Sequence, residues 1–212
     1  QLIGLYQSWS GREPVQVEKL PGAGSNRQYY RMWGIDGKTV IGVIGTSRDE
    51  DHAFVYLARH FSQNQLPVPR ILAVSDDELR YLQTDLGHTS LFDAIKGGRE
   101  AGGRYNQYEK NLLSKTIREL PKIQILGARG VDWGNCYPQP VFDVDSVLFD
   151  LNYFKYCFLK ATELDFHELK LEANFRLFAK DLTSESMDSF LYRDFQARNI
   201  MLDALPYETP KS

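Results

Sequence analysis

Cysteine is scarce in this chain. Cys136 and Cys157 stand alone, too few and too isolated for a disulfide framework or a zinc pattern. The four histidines, His52, His60, His88 and His167, show no spacing that would set two imidazoles on one metal. They read as surface or partly buried side chains. No apolar run approaches about 18 residues, so no membrane-spanning helix is expected. Positive charge is not in excess: 25 Lys and Arg against 28 Asp and Glu give a net charge of −3 and a pI near 5.8. That balance argues against a nucleic-acid partner, which needs a basic face. The first residues lack the basic and long apolar regions of a secretory leader. Internal repeats, low-complexity tracts and heptads are absent as well. A reducing cytoplasm, with neither nucleic acid nor membrane as partner, is the expectation.

What is present is an ordinary globular composition. The chain has 212 residues, 42% hydrophobic and 25% charged, enough for one large domain or two small lobes. A short amphipathic helix is expected over 2–9. Alternating or apolar runs over 15–20, 28–33 and 39–44 read as three strands of an antiparallel meander. A helix over 48–63 follows, with Asp49, Glu50 and Asp51 at its positive end and Phe54, Leu57, Ala58 and Phe61 as its buried stripe. The segment 66–69, with two prolines, stops it. Runs at 71–74 and 79–84 read as a hairpin around Asp76-Asp77.

Beyond residue 87 the pattern turns helical. Helices are expected over 91–97, 108–120, 145–162 and 166–182, with glycines 97, 98, 102 and 103 as a flexible connection. The helix over 108–120 should bury Leu112, Leu113, Ile117 and Leu120. The one over 145–162 is apolar on most faces and so is expected to lie buried. Its Tyr153, Phe154, Tyr156 and Phe158 read as core, with a stacking surface for sugar rings as the alternative. The composition shift near 85–90 marks the one lobe boundary, giving residues 1–87 and 88–212.

The richest stretch is Phe190-Leu-Tyr-Arg-Asp-Phe-Gln-Ala-Arg-Asn-Ile-Met-Leu202, where apolar flanks enclose Asp194, Arg198 and Asn199. Phosphoryl transfer uses such a pair: a carboxylate to orient or deprotonate the acceptor hydroxyl, and an amide oxygen to help hold Mg²⁺. A strand–turn–strand with a surface Asp and an Asn bonded to its own backbone is the plainer alternative.

A small sheet with one helix, a linker and a helical part carrying D-x4-N together resemble the protein-kinase-like fold. In detail the chain is similar to the aminoglycoside phosphotransferase and choline kinase group, in particular to bacterial phosphotransferases with the loop pattern Y-R-D-F-Q-x-R-N. Gly22-Ala-Gly-Ser-Asn-Arg27 falls where that family has its phosphate-covering loop. Tyr81-Leu-Gln-Thr-Asp-Leu-Gly87 resembles its hinge strand, and Tyr192-Arg-Asp-Phe-Gln-Ala-Arg-Asn199 its catalytic loop.

The resemblance implies an α+β fold of two lobes, an antiparallel-sheet N-lobe and a mainly helical C-lobe, with ATP and Mg²⁺ as cofactors. It implies Asp194 as the catalytic carboxylate, Arg198 near the transferred phosphate and Asn199 on the metal. Main chain at Gly22, Gly24, Ser25 and Asn26 would approach the phosphates, and that of Gln83, Asp85 and Leu86 the adenine edge. A plain β-turn is the alternative for the glycine loop. Tyr192 replaces the family's loop histidine and supplies no imidazole to titrate.

Two departures stand out. The third strand, Thr39-Val-Ile-Gly-Val-Ile44, carries no phosphate-gripping lysine; Lys38, Arg31 and Arg27 are the nearby cations, and Glu50 is the candidate acidic partner. After Asn199 no D-F-G-like metal aspartate follows at the usual distance: Asp203 is too close and Glu208 poorly placed. The C-lobe is therefore expected to be incomplete, and a chain ending there to have little kinase activity. The functional expectation is an ATP-dependent phosphotransferase acting on a small hydroxylated acceptor such as a sugar, amino sugar or aminoglycoside. The alternative is a catalytically impaired kinase-like binding or regulatory module.

Overall fold

A computed structural model describes residues 1–22, 26–186 and 188–202. The fold is α+β. Strands β1 (Gln16–Lys19), β2 (Gln28–Trp33), β3 (Thr39–Ile44), β4 (Ile71–Val74) and β5 (Arg80–Thr84) form one sheet in the order β1-β2-β3-β5-β4, antiparallel throughout. Helix α1 (Leu2–Ser10) precedes the sheet and α2 (Arg48–Gln63) joins β3 to β4.

The position of β3 explains its composition. A central strand with both faces covered has no polar side, so it reads as a continuous apolar run. Val40 packs with Leu2, Tyr6, Met32 and Leu82 under α1, while Ile41 and Val43 pack with Val55 and Tyr81 under α2. Gly42 keeps α1 close: a Cβ there would lie 2.9 Å from a Leu2 methyl and 2.8 Å from the Met32 sulfur. Phe54 stacks on Tyr81 with ring centroids 5.2 Å apart. The buried positions of α2 are Asp51, Ala53, Val55, Ala58 and Phe61; of the expected stripe Ala58 and Phe61 are among them, while Phe54 and Leu57 are only half-buried.

Helices α3 (Leu91–Ala94), α4 (Lys96–Glu100) and α5 (Gln107–Ala128) follow. Gly97 and Gly98 are part of α4 rather than a flexible connection, and a Cβ on Gly98 would fall 2.1 Å from the Tyr105 ring. Gly102 and Gly103, with φ of 67° and 88°, do form the turn. A capping box starts α5. Asn106 accepts from the Glu109 N–H at 3.0 Å and the buried Glu109 carboxylate accepts from the Asn106 and Gly98 N–H groups. The helix continues through Pro121 instead of stopping at residue 120. Its buried positions are Glu109, Ile123 and Gly127, whereas Ile117 is exposed. The part beyond the proline packs on α2: His60 Nε2 lies 2.9 Å from the Gly127 oxygen, and a Cβ on Gly127 would lie 3.0 Å from the Phe61 ring and 3.4 Å from a Leu66 methyl.

The chain divides into two compact units, Asp132–Leu191 and the remainder, a different division from the lobes expected at 1–87 and 88–212. The smaller unit holds α6 (Val144–Phe154), a π-turn over Lys155–Leu159, a short 3₁₀ turn, and α7 (Glu168–Leu182). Lys155 is buried and pairs with Glu172 and Glu168 of α7. The expectation that the 145–162 helix is buried is not met. Val147 is covered, but Phe149 is 72%, Tyr153 65% and Phe158 58% exposed. An apolar helix is buried only as far as neighbouring elements supply surface, and within this unit α7 covers one side. Among the described residues no helix is long and apolar enough to cross a membrane.

Candidate functional site

The Asp194 loop is built from tight local bonds. The Gln196 N–H donates to the Asp194 main-chain oxygen at 2.8 Å and the Asn199 N–H to the Gln196 oxygen at 2.9 Å, closing a 3₁₀ turn over Ala197–Asn199. The Asn199 side-chain N–H donates to the Asp194 main-chain oxygen at 3.1 Å. The amide nitrogen of Asn199 thus serves the loop, while its side-chain oxygen has no hydrogen bond among the described residues. The Asp194 carboxylate, on an exposed residue, likewise has no hydrogen-bond or ion-pair partner among them. An exposed Asp and an Asn bonded to its own loop's main chain are also what a plain turn has. Beside the loop, burial pushes the Tyr192 hydroxyl above its ordinary pKa, and the charge of Asp194 adds to the shift.

The loop is tied to the segment that follows β5. The Leu202 N–H donates to the Thr89 oxygen and the Leu91 N–H to the Ile200 oxygen, both at 2.8 Å, around an antiparallel bridge between Ser90 and Met201. That segment is clamped in turn by Arg31 of β2. Its guanidinium donates to Asp85 at 2.6 and 3.0 Å and to the Gly87 oxygen at 2.8 Å. It also meets His88 Nδ1 at 2.6 Å. A guanidinium has no lone pair to accept with, so in this contact Arg31 is the donor and His88 Nδ1 the acceptor. Burial raises the Asp85 carboxyl, but Arg31, Thr39 and the Gly87 N–H outweigh it and hold its pKa below the ordinary value. The Asp85 side chain is therefore structural. The half-buried Leu86 keeps main-chain N–H and C=O groups with no hydrogen bond among the described residues.

Gly22 and Asn26 flank the glycine loop as exposed residues; Gly24 and Ser25 lie outside the described residues. Just past the loop, Arg27 reaches α2. Its Nε donates to Asp51 Oδ1 at 2.8 Å and its Nη2 lies 3.1 Å from Glu50 Oε1. The same guanidinium sits 5.1 Å from the Phe54 ring centroid. Of the three cations near the lysine-less strand, Arg27 joins sheet to helix, Arg31 is committed to Asp85, and Lys38 pairs with Asp36 on the surface. Asp51 sits deeper than a helix-dipole residue would. Its side chain is 1% exposed and packed against Gly45, and burial pushes its pKa up against the opposing pull of Arg27. The sequence does hold that signal: Asp51 lies three, four and seven residues before Phe54, Val55 and Ala58, within the apolar stripe.

Phe92, which sequence reasoning passes over, meets Arg198. Its guanidinium carbon lies 3.5 Å from the centroid of the Phe92 ring, and that of Arg99 lies 3.4 Å from the same centroid.

No family model matches the chain, and no curated protein is detectably similar to it.

Among the described residues no group of three or more His, Cys, Asp and Glu side chains is placed to hold a metal. Mg²⁺ in a nucleotide site needs fewer, because phosphate oxygens and water complete its shell. The free side-chain oxygen of Asn199 is a donor of the right hardness.

Proposed function

We propose that this chain is an ATP-dependent phosphotransferase of the protein-kinase-like two-lobed fold, moving the γ-phosphoryl group to a hydroxyl of a small polyhydroxylated acceptor such as a sugar or amino sugar. One observation carries this reading: a loop that spends the Asn199 amide nitrogen on the Asp194 main chain while leaving the Asp194 carboxylate and the Asn199 oxygen without partners.

In this reading Asp194 accepts the hydrogen bond of the acceptor hydroxyl and takes its proton as the new O–P bond forms. The bond from Pγ to the β–γ bridging oxygen breaks and ADP leaves with that electron pair. The Asn199 oxygen would hold Mg²⁺, which would supply neutralisation of the phosphate charge. The free N–H and C=O of Leu86 offer the donor and acceptor that an adenine edge requires. The main chain at Gly22 and Asn26 would approach the phosphates in the same scheme. Arg27, held by Glu50 and Asp51, stands in for the missing strand lysine. The cation comes from the end of the neighbouring strand and ties the sheet to α2 through carboxylates.

Thermal shift with ATP tests the nucleotide half of the proposal. A rise in Tm with ATP that requires Mg²⁺ is expected, since a ligand binding only the native state stabilises it. No shift with any nucleotide would favour a kinase-like module working through protein contacts.

A further inference from the structure

Two guanidinium carbons cannot both lie about 3.5 Å from one ring centroid on the same face without overlapping. Arg99 and Arg198 therefore sandwich Phe92, one on each face. The three come from separate places: Phe92 from α3, Arg99 from α4, and Arg198 from the 3₁₀ turn that ends in Asn199. Arg99 Nε also donates to the Phe92 main-chain oxygen at 3.2 Å, pinning the ring from behind. The aromatic face attracts each cation, but the two cations repel one another across it. Among the described residues neither guanidinium has a carboxylate partner. Other charged arginines here, Arg27, Arg31, Arg48 and Arg80, are ion-paired. An arginine stacked on a ring, in the same loop as Asp194 and with no carboxylate partner of its own, is placed to receive a phosphate dianion.

We infer that Phe92 is a positioning residue, braced by Arg99, that holds the Arg198 guanidinium for the terminal phosphoryl group. This rests on the phosphotransferase reading and deepens it. Phe92 itself touches no substrate; it acts by removing the rotamer freedom that an exposed arginine would otherwise lose on binding. Arg198 then distinguishes nucleotides by their last phosphate, binding a group that ATP has and ADP lacks.

Titration calorimetry of the full chain with ATP and with ADP, each with Mg²⁺, reads this directly. The measured quantity is the ratio of the two affinities. Phe92→Leu and Arg198→Lys are each expected to weaken ATP relative to ADP by about tenfold, the scale of a charge-assisted hydrogen bond. ADP affinity and Tm should stay near wild type. Phe92→Tyr keeps the ring and should keep the ratio. Arg99→Gln removes the brace and should give a smaller loss in the same direction.

An unchanged ratio in Phe92→Leu would overturn the inference and leave the wider reading standing. Equal losses for ATP and ADP would assign Phe92 a purely structural role and overturn it too. A wild-type chain that binds neither nucleotide would remove the phosphotransferase reading and the inference together.

Discussion

Asn199 turns its side-chain nitrogen back onto the main-chain oxygen of Asp194, 3.1 Å away. One residue thereby fixes the turn that presents the carboxylate and keeps its own oxygen available. Separating these two roles is possible because they use different atoms. Asn199→Ala removes both, and metal activation of phosphoryl transfer is expected to weaken by about 10–100-fold. Asn199→Asp keeps an oxygen but loses the donor, so it should retain more of the metal response while loosening the loop. Mg²⁺ titrations of ATP turnover in the two variants check this. Equal Mg²⁺ dependence in wild type and both variants would remove Asn199 from the metal.

Gly45 is required by the Arg27–Asp51 pair. A Cβ there would fall 1.5 Å from Asp51 Oδ2, and the Asp51 side chain is 1% exposed. Gly45→Ala should displace Asp51 from Arg27 and cost about 3 kcal/mol, the upper range for overpacking. It should also weaken ATP binding if Arg27 serves the phosphates. Urea unfolding gives the first number and nucleotide titration the second. A loss of stability with no loss of ATP affinity would leave the pair a purely structural tie.

The Arg31–Asp85 pair predicts a pH signature. Its side chains are 7% and 5% exposed, and removing one partner of such a pair typically costs about 3–5 kcal/mol. Arg31→Met should show that loss at neutral pH. The Asp85 pKa is held below its ordinary 3.8 in the folded protein, so the stability it contributes is fully present above that value. It drains away as pH falls through the folded pKa. The gap in unfolding free energy between wild type and Arg31→Met should therefore narrow below pH 3.8. A gap that stays constant down to pH 2 would mean the pair contributes nothing through ionisation.

Much of the sheet was legible because its packing is written in local periodicity. The runs at 28–33 and 39–44 and the helix at 48–63 have the bounds their sequences suggest. A buried central strand and an amphipathic helix both declare themselves within a few residues. Helix α5 was less legible, since Pro121 removes one N–H and looks like an end, yet the buried Ile123 and Gly127 lie beyond it. The apolar surface of 145–162 misled for a different reason: composition shows that a face is able to be buried, not that something covers it.

The candidate site divides the same way. That Asp194 and Asn199 share one turn was legible because their five-residue spacing is a local fact. The partners of the cations were not. Arg27 with Asp51, Arg31 with Asp85, and Arg198 with Phe92 are 24, 54 and 106 positions apart, so only the fold brings each pair together. Glu50, the carboxylate singled out from sequence, does meet Arg27, but the better buried contact belongs to its neighbour Asp51.

Transfer of the γ-phosphoryl group from labelled ATP to a panel of sugars, amino sugars and aminoglycosides, with wild type beside Asp194→Ala, tests the central claim most directly. The account predicts acceptor-dependent labelling by wild type and a loss of at least about 100-fold in the variant, on the scale of general-base catalysis, with Tm and ATP affinity preserved. Turnover in Asp194→Ala equal to wild type would contradict it.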